Sequence, residues 1–194
     1  MQIDENNMVN RSDFERKTLN EKIKRVLVFI NEGYSIKDKA VIFICFFLRT
    51  ILKLLRLNKT SVYKIFRFTV RNSDGIFLCN IDSIYATSPT TEKNIRRYFS
   101  LRDGTFIDVG AHIGKYTVIM GKKLSKYGRV VAIEPEKNNF EMLKKNVILN
   151  KLKNVSLINC ACFKEEGYKN FYLDSMSTGT HSFYKNKVMR ANAI

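Results

Sequence analysis

Proline is nearly absent, with two residues in 194, and there is neither an internal repeat nor a low-complexity tract. With 45% hydrophobic and 12% aromatic residues, this excludes a disordered chain and leaves a globular one, long enough for one domain with a real core and a small appendage. Long apolar runs are also missing. AVIFICFFL, starting at Ala40, reaches nine residues before Arg49 interrupts it, and spanning a bilayer takes about 20. The first 15 residues, MQIDENNMVNRSDFE, are polar and partly acidic, so no signal peptide is read there. Histidine is scarce, and the paired cysteines Cys160 and Cys162 have C-x-C rather than C-x-x-C spacing, so no metal site is expected. The cysteines read as buried free thiols of a reducing, cytoplasmic compartment.

Acids are short. The chain has 34 Lys+Arg against 18 Asp+Glu, a formal charge of +16. Such a balance suits acidic partners: nucleic acid, anionic lipid or anionic sugar. The excess is spread, however. Residues 1–104 hold 19 bases and 11 acids, residues 105–194 hold 15 and 7, so each part carries +8. A solvated basic surface fits this better than one nucleic-acid stripe, and a nucleic-acid partner is not expected.

Three segments follow. In residues 1–60, Ser12 and Glu15 have capping-box spacing and predict a helix from about Asp13, carried by Phe14, Leu19, Ile23, Val26, Leu27 and Ile30 and ended by Gly33. Ser35 and Asp38 repeat the signal for a second helix to about Leu57, apolar all round in its first half. Its second half sets Arg49, Lys53 and Arg56 opposite Ile51, Leu52 and Leu55. Between Ala40 and Ser73 there are seven bases and no acid. Two readings compete for residues 40–57: a packing or self-association helix, and an interfacial helix on anionic lipid that makes the protein peripheral to a membrane. Residues 61–104 predict a β-hairpin turning at Asp74-Gly75 and a short helix over 91–100.

From residue 105 to 194 the pattern becomes strand–helix–strand–helix–strand: Phe106–Val109, Ile113–Leu124, RVVAIEP, a helix opening at Pro135-Glu136 and running to Leu149, then Val155–Cys160. Residues 167–173 suggest an extra strand. The expected fold class is α/β, a Rossmann-like parallel sheet preceded by the helical segment and hairpin. Ligands of such sheets sit beyond the carboxyl ends of the strands. There the sequence reads FIDVGAHIGKYT. A pyrophosphate loop needs a middle glycine where this chain has His112, and Asp108 would repel phosphate. S-adenosylmethionine carries no phosphate; its ammonium suits Asp108, and its carboxylate suits amides at a helix start. The second strand ends in Glu134, 20 residues after Gly114, placed to accept hydrogen bonds from ribose hydroxyls.

FIDVGAHIGKYT, VVAIEP, Leu143-Lys-Lys-Asn146-Val-Ile-Leu149-Asn150 and NVSLINCA together resemble the FkbM family of methyltransferases, from about Thr105 to Ala161. The resemblance implies a class I, Rossmann-like methyltransferase fold, S-adenosylmethionine as cofactor, and O-methylation of a sugar or natural-product hydroxyl, so a small-molecule or glycan acceptor. It implies that Asp108, Gly110, Ala111, His112 and Gly114 form the methionine-side loop and that Glu134 holds the ribose. Asn159 or Cys160 is the candidate for the adenine side. No catalytic base is named; His181, in the polar stretch STGTHSF, reads as a surface or hydrogen-bonding residue. Only 33 residues follow Ala161, too few for the remaining strands of such a fold, which predicts the cofactor-binding part of an enzyme with strands one to three. The outer edge of the first strand would then be open to self-association or to a partner supplying the acceptor half. An RNA methyltransferase and a non-catalytic cofactor-binding or membrane-associated fragment are the alternative readings.

Overall fold

The computed structural model describes residues 19–55, 65–92, 94–173, 179 and 181–184. The predicted helix start at Ser12–Glu15 lies outside them. Two helices come first, α1 (Leu19–Glu32) and α2 (Ile36–Leu54). Gly33 separates them. Ser35 and Asp38 form the expected reciprocal cap: the Ser35 hydroxyl accepts from the Asp38 N–H at 3.2 Å, and the Asp38 carboxylate accepts from the Ser35 N–H at 3.0 Å.

The hairpin follows as β1 (Phe68–Arg71) and β2 (Ile76–Cys79), antiparallel, with Thr69 opposite Leu78. Its turn is closed by the Asn72 side chain, which accepts from the Asp74 N–H at 3.0 Å. A lone two-stranded hairpin is marginal in water. Here both edges are held. On the β1 side, Thr69 donates to Asp38 at 2.8 Å and accepts from the Tyr34 N–H at 2.9 Å. On the β2 side, two asparagine side chains of a later helix take the place of a third strand. The expected helix over 91–100 is instead a helical turn α3 (Ile84–Thr87) and a 3₁₀ turn at Ile95–Tyr98. Arg96 of that turn makes a two-pronged ion pair with buried Asp74, tying it to the hairpin.

The parallel sheet then forms as β3 (Thr105–Val109), β4 (Arg129–Ile133) and β5 (Val155–Ile158), in spatial order β3-β4-β5. It is linked by α4 (Lys115–Lys123) and α5 (Lys137–Leu149). Alternation along the strands puts Phe106, Val130, Ala132 and Leu157 on one face, and both helices cover that face through Met120, Leu124, Leu143 and Val147. The opposite face, with Ile107, Val109 and Ile158, is exposed. Among the described residues no strand pairs with the outer side of β3. The largest core cluster joins all parts of the chain: Phe29 and Phe46 from the helices, Phe68 and Phe77 from the hairpin, and Ile113, Val118 and Met142 from the sheet-covering layer.

Three expectations need correction. The third strand ends at Ile158, so Cys160 and Cys162 follow it in open backbone and are exposed, while only Cys45 and Cys79 are buried. Glu136 is not within the helix; its backbone is extended and its carboxylate caps α5. Residues 167–173 form no further strand: Tyr172 makes a single antiparallel bridge to Ser182, with hydrogen bonds of 2.8 and 3.1 Å.

Candidate functional site

The loop from Gly110 to Gly114 leaves β3 and folds over the end of β4. Gly110, His112 and Gly114 all have positive φ, at 76°, 53° and 92°. This left-handed backbone favours glycine and tolerates histidine better than a branched residue. The turn is fixed by its own amides. Gly110 and Ala111 both donate to the Ile133 carbonyl, at 2.9 and 3.0 Å, and Gly114 donates to the Ala111 carbonyl at 2.8 Å. The His112 N–H donates to the Glu134 carboxylate at 2.8 Å. Loop and strand-end acid, 22 residues apart in sequence, are therefore in direct contact.

Glu134 is buried. Its second oxygen accepts from the Glu136 N–H at 3.0 Å, and the Asn139 side chain also bonds to it. Burial raises its pKa above the ordinary 4.5, against the lowering effect of these hydrogen bonds. Glu136 in turn accepts from the Asn139 N–H at 2.6 Å and from the Asn138 side chain at 3.0 Å. Asn159 staples the two strand ends together, donating to the carbonyls of Glu134 at 2.7 Å and Pro135 at 3.2 Å.

A cavity of about 370 Å³ opens at the carboxyl ends of β3 and β4. Gly110, His112 and Glu134 line it, and so does Cys160. The other residues singled out from the sequence stand behind this wall. Asp108 is buried on the helix side of the sheet, where Thr117 Oγ1 donates to it at 2.5 Å; burial raises its pKa. Ala111 is packed in the core of α5 and β4. A Cβ on Gly114 would lie 2.5 Å from Leu143 Cδ1, so this glycine serves close packing between loop and helix. A Cβ on Gly110 would meet nothing within 4 Å: that glycine borders open cavity space.

The far wall comes from a part of the sequence that offered little signal. Phe171, His181 and Phe183 line the cavity, Phe171 meeting the rings of His181 and Phe183 edge-on at 6.0 and 5.2 Å. His181 thus belongs to the cavity rather than to a surface loop. The clue available beforehand was the spacing of aromatics in FYL and HSFY, which has no regular period. The two histidines of the chain both line this cavity. Burial, with repulsion from His181, lowers the His112 pKa to about 4, only partly opposed by Glu136, so His112 is neutral at neutral pH.

That shift makes a pH prediction. The unfolded His112 takes up a proton near 6.5 and the folded one near 4, so its contribution to stability is complete above 6.5 and is lost as pH falls through that window. The loss has an upper bound of about 3 kcal/mol. The raised carboxylates Asp108 and Glu134 act with opposite sign, relieving a penalty as pH falls through their folded pKa values. The difference between wild type and His112→Asn, followed by urea unfolding at pH 7, 5 and 4, isolates the histidine: the wild type loses its advantage on acidification. A constant difference across the series contradicts this.

Comparison with known proteins gives a partial match. Residues 108–193 match the methyltransferase FkbM domain. A probable cobalt-precorrin-6B C(15)-methyltransferase (decarboxylating) of Sulfurisphaera tokodaii is 41% identical over 75 residues, covering 36% of this chain and 39% of the relative. The chain thus spans about two fifths of that curated relative. Among solved structures, M. jannaschii TYW2 in complex with AdoMet is 26% identical over 48% of this chain and 43% of its own, with a TM-score of 0.38. Precorrin-6y C5,15-methyltransferase of Geobacter metallireducens GS-15 is 20% identical over 38% of this chain and 43% of its own, with a TM-score of 0.33. Residues 108–193, less than half of the chain, are thus similar to the methyltransferase FkbM domain.

Proposed function

We propose that the chain binds S-adenosylmethionine between the Gly110–Gly114 loop and Glu134 and serves methyl transfer to a hydroxyl oxygen of a sugar or natural product. The observation that carries this reading is the convergence of Gly110, His112 and Glu134 on one cavity at the strand ends. The residues fit the cofactor on three counts. The volume falls within the roughly 300–1,000 Å³ of small-molecule sites. The carboxylate on the cavity wall, Glu134, suits a ligand that carries hydroxyls and no phosphate. The space beside Gly110 is what a side chain there would fill.

When bound, the cofactor would supply an electrophilic methyl group, and Gly110, His112 and Glu134 are the cavity residues that would hold it. The chain's part is orientation and exclusion of water. A carboxylate offers about four acceptor positions. Three of those of Glu134 are taken, so a vicinal diol engages the open one and competes with Asn139 for another. Phe171 and Phe183 form part of the cavity wall. The exposed sheet face and the outer edge of β3, which no strand pairs among the described residues, are open to an acceptor-binding part.

Gly110→Ala tests the site. The added methyl clashes with nothing, and the left-handed backbone costs about 1–2 kcal/mol. The expected result is a folded protein whose affinity for S-adenosylhomocysteine falls about tenfold or more by calorimetry. Undiminished affinity would place the ligand elsewhere.

A further inference from the structure

The second helix, α2, carries a surface that the cofactor site does not use. Its inner side buries Ile42, Cys45 and Phe46. Its outer side is apolar as well. Ile36, Phe43, Phe47 and Leu54, spaced seven, four and seven residues apart, are 87%, 57%, 55% and 77% exposed. That spacing sets them in a single stripe, and Ala40 and exposed Ile44 fall beside it. Phe43 and Phe47 stack on one another, 6.2 Å between centroids at 12°. Over 19 residues the stripe is about 27 Å long. An apolar band of this length on a water-facing helix calls for an occupant.

The surrounding charge identifies its chemistry. Lys37, Arg49 and Lys53 of the same helix are exposed, as are Arg67 and Arg71 of the adjoining hairpin segment. The one acid of the helix, Asp38, is turned inward and spent on Ser35 and Thr69. No other acid occurs until Asp74. A second copy of the chain docking on this stripe would bring like charges together with no acid to pair them. A surface of phosphate headgroups over hydrocarbon matches both features. Among the described residues no helix is long and apolar enough to cross a membrane, so the fit is to a helix lying in the interface.

We propose that α2 docks flat on an anionic lipid bilayer, with Phe43 and Phe47 entering the boundary between headgroups and acyl chains and Lys37 and Lys53, on either flank of the stripe, reaching the phosphates. The site reading above does not depend on it.

Because the chain has no tryptophan, Phe43→Trp introduces a single reporter at an exposed position. With vesicles of phosphatidylcholine containing about a third phosphatidylglycerol, its emission shifts to the blue and the protein floats with the vesicles. With pure phosphatidylcholine, or in about 0.5 M salt, partitioning falls at least about tenfold. Phe43→Ser/Phe47→Ser lowers it by about tenfold or more while circular dichroism and S-adenosylhomocysteine binding stay as in the unaltered chain. The proposal is overturned by no flotation on anionic vesicles, by flotation that ignores the double substitution, or by sedimentation showing a dimer that the double substitution dissolves while lipid binding persists.

Discussion

Asn146→Leu lowers the stability of the protein by about 3–5 kcal/mol and its melting temperature accordingly, the largest effect expected of any single substitution outside the site. Asn146 is completely buried in α5. Its side-chain oxygen accepts from the Leu78 N–H at 2.6 Å, and its amide donates to the carbonyls of Leu78 at 3.1 Å and Ile113 at 2.8 Å. One turn later Asn150 repeats the pattern with both backbone groups of Ile76, at 3.0 and 2.6 Å. The i, i+4 step of the helix matches the i, i+2 step of β2, so two side chains stand in for a paired strand. Leucine has the branched shape of asparagine and offers none of its bonds, leaving one buried and two part-buried backbone groups without this partner. Asn146→Asp serves as control: it keeps the acceptor for the Leu78 N–H and sets a carboxylate against two carbonyls, so it too is strongly destabilising. A thermal melt within about 2 °C of wild type for Asn146→Leu would refute the clamp.

Glu134→Ala abolishes cofactor affinity to the limit of measurement, about 100-fold or more, since each charge-assisted hydrogen bond to a ligand hydroxyl contributes roughly 1.5–3 kcal/mol. It also strips the acceptor from the His112 N–H and the Glu136 N–H. Loop order and ligand binding are therefore lost together. Glu134→Gln keeps a neutral acceptor of similar shape and retains part of the affinity, about a tenth. Because the pKa of Glu134 is raised, the unaltered chain loses affinity on acidification at a higher pH than an ordinary glutamate would. Equal affinities of wild type and Glu134→Ala, from isothermal titration, would remove Glu134 from the site.

The parallel sheet was readable because βαβ segments carry their pattern locally: the runs at 105–109, 129–133 and 155–158 are short, apolar and bounded by turns. Gly110, His112 and Glu134 could be named for the same reason, the loop and strand end being the places where such sheets bind ligands. What escaped was non-local. Asn146 and Asn150 read as ordinary helix residues until β2 is set beside them, 68 and 74 residues away in sequence. The cavity wall of Phe171, His181 and Phe183 rests on one bridge and on ring contacts, neither of which leaves a period in the sequence. Alternation also set Asp108 on the helix-covered face, which a motif reading by spacing alone does not consider. And α2, apolar on every side in its first half, gave no sign of which side the core would take.

The central claim is that this fold holds S-adenosylmethionine at Glu134 and the Gly110–Gly114 loop. Isothermal titration of S-adenosylmethionine and S-adenosylhomocysteine into the full chain tests it most directly. Saturable heat with a dissociation constant below about 1 mM, lost in Glu134→Ala, is the predicted result; no heat at millimolar ligand from a folded protein would contradict it.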